Sequence, residues 1–323
     1  MNRHIKFGLP LLLSLMLIVI IFSLINHPTQ KAIQTLQDTA TPPIKKIHQR
    51  QVDTKLGDKI VKKLEQKHGD LLYEEIDSLT APFSQKEVDI LTYEIKDEQI
   101  HMIKSSKKRA HQNIIENKQK QHELWKRFAN LIPSENRKMV AYFKIFTDGE
   151  DNTLGYVQQM DYPDKWTLAL DYRDVKNLNG LYATILHEYG HLFSLNSFEY
   201  SHDNVCKTYD PGEGCLKQDA YLYHFYQQFW QYDVMQHWKQ LKNIETDPTV
   251  QTHFYTLHAD EFVTEYATSH PTEDFAESFM YFILSTKPSS HTRADEKVLF
   301  FYQYPELAQL RNEILMNLEK YYP

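Results

Sequence analysis

The sequence predicts an α+β chain: a small mixed sheet leading into a mainly helical C-terminal part, with a further helical region ahead of the sheet. Three observations predict it. After Pro133, Met139 to Phe146 (MVAYFKIF) is a β-branched and aromatic run, and Leu154 to Gln159 and Trp166 to Asp171 follow as strand candidates. From Leu178 onward nearly every segment carries apolar residues at helical spacing. Before the sheet, residues 52–131 are rich in Lys, Glu and Gln, with Ile60, Leu64, Leu71 and Leu72 and then Val88, Leu91 and Ile95 at spacings that predict two or more charged amphipathic helices.

Taken in chain order, four regions emerge. In residues 1–26, Phe7 to Ile25 is an uncharged apolar run behind Arg3 and Lys6. As a helix it would be ~28 Å long, enough to cross the hydrocarbon layer of a bilayer, so it predicts a membrane anchor or a secretory signal. The residues after it offer no small pair for cleavage, which favours the anchor. Arg3 and Lys6 favour a cytoplasmic N-terminus, with the rest of the chain outside, or secreted if the segment is cleaved. Lys45, Lys46 and Arg50 on the other flank pull against that orientation. Residues 27–51, with Thr41-Pro42-Pro43, read as a stalk. Residues 52–133 form the charged helical region, whose Lys-rich stretch from Lys104 to Lys120 reads as a solvated face. Residues 134–323 form the α+β domain. Within it, Asp148-Gly149-Glu150-Asp151-Asn152 lacks the full ligand pattern of a calcium loop and reads as a hairpin turn.

Composition narrows the function classes. The chain of 323 residues carries a net charge of -7 and no basic run dense enough to track a phosphate backbone, which excludes nucleic acid as the expected partner. Its only two cysteines, Cys206 and Cys215, lie close together and read as one small disulfide loop in an oxidising compartment.

The chemistry-bearing motif is His187-Glu188-Tyr189-Gly190-His191, an H-E-x-x-H pattern. Leu181, Ile185, Leu186, Leu192 and Leu195 around it predict a buried helix. Residues four apart on a helix lie one turn above each other, so both imidazoles can reach one zinc ion at ~2.0–2.1 Å. Glu188 is rotated by ~100° and is placed to take a proton from water at the open position.

Such a site needs a third ligand. A third histidine six residues past the second would fall on Ser197, and a carboxylate at the short gluzincin spacing would be Asp210, within the cysteine loop. The better candidates lie downstream, where Pro271 opens a predicted helix carrying Glu273 and Glu277 on one face, with Phe275 and Phe279 packing. Stacked carboxylates repel on a free helix, and a cation or a metal-bound imidazole beside them reverses the sign. Glu273, Glu277 and Asp210 therefore stand as alternatives.

The pairing of H-E-x-G-H with a distant Y-x6-E-x-F-A-E-x-F resembles the catalytic domain of anthrax lethal factor and its gluzincin relatives, over about Trp166 to Leu284. The resemblance implies a zincin-like fold and one zinc ion per chain held by His187, His191 and Glu273. It also implies Glu277 as a carboxylate supporting the site from outside the ligand set, Tyr266 as an acid or oxyanion donor, and Glu188 as general base in hydrolysis of a peptide or protein substrate. Zincins bind peptide along an edge strand ahead of the active helix, here expected at Trp166 to Asp171. Relative to that family, an insertion between His191 and Glu273 carries the cysteine loop and an aromatic helix, Tyr221 to Trp238, whose Tyr223, Phe225, Phe229 and Trp230 read as core. Two other classes stay open: a zinc-holding module without proteolysis, and an adhesion or assembly protein acting through its N-terminal half.

Overall fold

The computed structural model describes residues 52–72, 87–149, 153–162, 164–173, 177–201, 205–231 and 233–323, all within one compact unit, Ile44–Pro323. Helix α1 (Thr54–His68) starts on the Asp53 side chain, which accepts from the Lys55 N–H, and ends at Gly69 in a positive-φ conformation. A hairpin follows: β1 (Val88–Lys96) and β2 (Gln99–Ser105) pair antiparallel across Asp97-Glu98. After the short α2 (Gln112–Glu116) and α3 (Lys118–Leu131) come β3 (Val140–Thr147), β4 (Gly155–Gln159) and β5 (Trp166–Asp171).

The sheet order is β2-β1-β3-β5-β4, with β3 and β5 parallel and the other pairs antiparallel. This is the mixed sheet of an α+β chain, but it contradicts an all-helical 52–133. Val88, Leu91 and Ile95 sit on a strand, and the sheet runs across the predicted 133/134 boundary. Leu91, Tyr93 and Ile95 alternate with period two, a pattern that the i, i+3, i+7 spacing of Val88, Leu91 and Ile95 obscured. The turn between the strands hid itself as well. Asp97 and Glu98 both take positive φ (49° and 63°), the geometry of a tight hairpin turn, but without the glycine that usually announces it.

The turn after β3 also departs from expectation. Gly155 of β4 pairs with Leu170 of β5 and not with β3, so the chain leaving β3 passes β5 to reach the sheet's edge. Residues 150–152 of that turn lie outside the described set. Strand β5 is buried at every position and flanked on both sides, which overturns its expected role as the edge strand; the edge belongs to β4. A continuous apolar run such as WTLAL marks an interior strand, whereas GYVQQ is polar enough to face solvent.

Helix α4 (Leu178–Ser194), capped by the Asn177 side chain, is buried along nearly its whole length and lies beside β4. The helices after it are α5 (Tyr221–Phe229), α6 (Asp233–Trp238), α7 (Pro248–His258), α8 (Pro271–Leu284), α9 (Arg293–Phe301) and α10 (Pro305–Tyr321). The aromatic helix predicted over Tyr221 to Trp238 is two helices, with Phe225, Phe229 and Trp230 in the core. Helix α8 packs on α4 and α9, and α10 packs on α1 and α3. Cys206 and Cys215 form a disulfide.

The expected membrane localisation requires a correction. Among the described residues no helix is long and apolar enough to cross a membrane, and the segment on which that expectation rested, residues 1–26, lies outside the described residues together with the stalk at 27–51.

Candidate metal centre

The site forms where α4 meets α8. His187 and His191 share one face of α4, their ring centroids 4.8 Å apart. Glycine at position 190 permits the helix contact: a Cβ there would stand 3.0 Å from the Ala276 Cα and 3.3 Å from its Cβ. The two helices thus approach backbone to backbone, with Phe193 stacked between Phe275 and Phe279 at 6.2 and 5.7 Å. Helix α8 begins where the sequence predicted, with Pro271 at its first position and the His270 side chain accepting from the Thr272 N–H. That start places Glu273 in the first turn, facing α4.

The donor atoms converge. Nε2 of His187, Nε2 of His191 and Oε2 of Glu273 each stand 3.1 Å from the other two. Tetrahedral donors held ~2.0–2.1 Å from a zinc ion lie ~3.3 Å apart, so the triangle is close to the size such an ion demands. A single proton can satisfy one edge of this triangle, whereas one cation satisfies all three. The side chains behind it agree. Glu277 Oε1 lies 2.5 Å from His187 Nδ1, so Nδ1 donates and Nε2 is turned into the site. The other Glu277 oxygen accepts from the Thr264 hydroxyl at 2.7 Å. The His187, His191 and Glu273 cluster could therefore hold a metal ion.

Electrostatics point the same way. Burial alone would push the Glu273 carboxyl up, but the His191 and His187 imidazoles outweigh it and hold the group well below the usual carboxylate range, ionised as a ligand must be. Burial likewise opposes a charge on His187, yet Glu273 and Glu277 together raise its pKa well above the ordinary value. The pocket is built to favour positive charge.

Glu188 is buried beside the triangle and outside it, and its carboxylate accepts from the Val157 N–H of β4. Burial raises its pKa despite the neighbouring imidazoles, making it a stronger base than a solvated glutamate. Tyr266, on a short helical turn ahead of α8, lies 5.8 Å from the His187 ring, centroid to centroid, and the residue is 52% exposed. Burial and the Glu273 carboxylate it bonds push the phenol's pKa far up, so it remains a proton donor.

Of the predicted residues, the structure brings His187, Glu188, His191, Tyr266, Glu273 and Glu277 together. It leaves Asp210 apart: one oxygen accepts from the Gly212 and Gly214 N–H groups, closing the turn inside the disulfide loop. The loop nevertheless reaches the site. Glu213 lies near enough to His191 for their charges to interact, and the Tyr209 hydroxyl is 3.3 Å from His270 Nε2. Sequence reasoning missed Thr264, the Val157 amide and Glu213. Thr264 is an ordinary threonine outside any motif, and the other two are brought in by the sheet edge and the disulfide. Against protein-family models, curated proteins and solved structures alike, the chain gives no match.

Proposed function

We propose that the chain is a zinc-dependent peptidase with one zinc ion on His187, His191 and Glu273, of the zincin-like, gluzincin kind that the sequence motifs resemble. The observation that supports this reading most is the equilateral 3.1 Å triangle of two imidazole nitrogens and a carboxylate oxygen, one of whose rings is oriented from behind by Glu277. Bound there, zinc supplies Lewis-acid polarisation of a carbonyl and a lowered pKa for water.

The chain's own residues supply the rest. Glu188, anchored by the Val157 amide and made more basic by burial, takes the proton of the attacking water and hands it to the departing amine. The Tyr266 phenol, kept protonated, donates to the oxygen on which negative charge develops. Peptide substrate is aligned by β4, the edge strand beside α4, whose outer edge offers backbone groups to an extended chain.

The test compares the native full chain with Glu188→Gln for zinc content and for cleavage of a peptide library. Both proteins should take up one zinc, with cleavage by the variant lower by ~10²–10⁴-fold. A native protein that takes up no divalent metal at neutral pH, or a Glu188→Gln variant that cleaves at the native rate, would overturn the proposal.

A further inference from the structure

Beside the metal triangle, ~100° round α8 from Glu273, an ion pair is sealed in the core. The Lys297 ammonium of α9 and the Asp274 carboxylate of α8 are 2.6 Å apart, with side chains 1% and 0% exposed. Asp274 also accepts from the Trp230 indole N–H at 2.6 Å and faces the Ser278 hydroxyl at 3.4 Å. The ammonium stands 3.7 Å from the centroid of the Phe262 ring, 5.7 Å from that of Trp230 and 6.0 Å from that of Phe229. It occupies an aromatic box with the Asp274 carboxylate in its wall and the Glu261 carboxylate near enough to act on its charge.

Stability alone does not account for this arrangement, because a buried ion pair is commonly no more stabilising than apolar side chains of the same volume. What it provides is direction. Apolar contacts tolerate a small slide or rotation of one helix on another, whereas displacing either charge strands it in hydrocarbon. The residues that meet at the box are also those next to the site. Asp274 follows Glu273 on α8, so rotation of that helix moves both. Phe262 lies two residues before Thr264, which bonds Glu277, and four before Tyr266.

We propose that Lys297 is a positioning residue for the metal centre, its ammonium locking the rotation of α8 against the segment that carries Thr264 and Tyr266. The inference rests on the metal-binding reading of His187, His191 and Glu273. It is tested in the full chain with Lys297→Met/Asp274→Asn, which neutralises the pair while the introduced amide retains an oxygen acceptor for the Trp230 indole. Zinc affinity by chelator competition, the visible spectrum of the cobalt-loaded protein and the melting temperature are measured for native and variant. The variant should melt within a few degrees of native, bind zinc ~10–100-fold more weakly and show an altered cobalt spectrum. Native zinc affinity with an unchanged cobalt spectrum overturns the inference and leaves the metal site standing. A native chain without zinc affinity overturns both. Should the double variant fail to fold, Phe262→Leu, which keeps the ion pair and removes one wall of the box, decides: weakened zinc binding in a folded protein supports the inference, and native affinity overturns it.

Discussion

Gly190 of α4 rests against Ala276 of α8, so closely that a methyl group on the glycine would meet the Ala276 Cα at 3.0 Å. This contact sets the distance between the helix that bears the two histidines and the helix that bears Glu273. In Gly190→Ala, helix propensity gains up to about 1 kcal/mol, while forcing backbone apart costs about 1–3 kcal/mol. The steric effect is expected to win, lowering both melting temperature and zinc affinity. Ala276→Gly in the Gly190→Ala background should recover only part of the zinc affinity, because it removes the 3.3 Å clash with the Ala276 Cβ and leaves the 3.0 Å clash with its Cα. A double-mutant cycle showing no coupling between the two positions would contradict the contact's role.

The proposed ligands and the groups behind them should separate by degree. Glu273→Ala removes a corner of the triangle and should abolish stoichiometric zinc. Glu277→Ala frees His187 Nδ1 and should weaken zinc by ~10–100-fold, and Thr264→Val by less, since it acts one bond further out. Competition with a chelator gives the order. Glu273→Ala retaining full zinc would return Asp210 or Glu277 to candidacy.

Glu188 makes a pH prediction for the metal-free protein. Burial raises its folded pKa above that of the unfolded chain, so the folded state holds the proton to higher pH. Its contribution is fully favourable below the unfolded carboxylate range and is lost as pH rises through the folded value, where a buried charge must form. With chelator present, Glu188→Gln should therefore be more stable than native at neutral pH, and the difference should shrink as the solution is acidified. Thermal melts of both proteins across that range measure it; a difference that grows on acidification would refute the sign.

Tyr266→Phe should lower kcat by ~10²–10³-fold with little change in KM, as expected for a donor used as charge develops. The raised pKa of the phenol also means that Tyr266 contributes no alkaline limb near neutrality. A pH–rate profile whose alkaline limb disappears in Tyr266→Phe would contradict that assignment.

The disulfide closes a short loop, with Cys206 and Cys215 separated by 9 positions. Cys206→Ser/Cys215→Ser should lose roughly 2–3 kcal/mol of stability through the freer unfolded chain. Because Glu213 and Tyr209 of this loop reach the neighbourhood of His191 and His270, cleavage should fall further than zinc affinity does. Parallel measurement of melting, zinc and peptide cleavage separates the three effects.

The reach of the sequence here follows the range of the interactions involved. Where a feature depends on neighbours within a helical turn or two, the residues themselves determined it: the H-E-x-x-H face of α4, the Pro271 start of α8, the pairing of two nearby cysteines, and the strands β3, β4 and β5. The β1–β2 hairpin was obscured because its apolar spacing fits two periods and its turn uses Asp97 and Glu98 in place of glycine. Tertiary structure alone decided which strand lies at the sheet edge and that Thr264 and Lys297 lie near the site; it also placed Glu273, the carboxylate that the motif resemblance implied, against both histidines. Each of these depends on segments distant in sequence: strand order set the edge, and packing at Gly190 and Ala276 set how closely the histidine helix and the Glu273 helix approach, which no local pattern encodes.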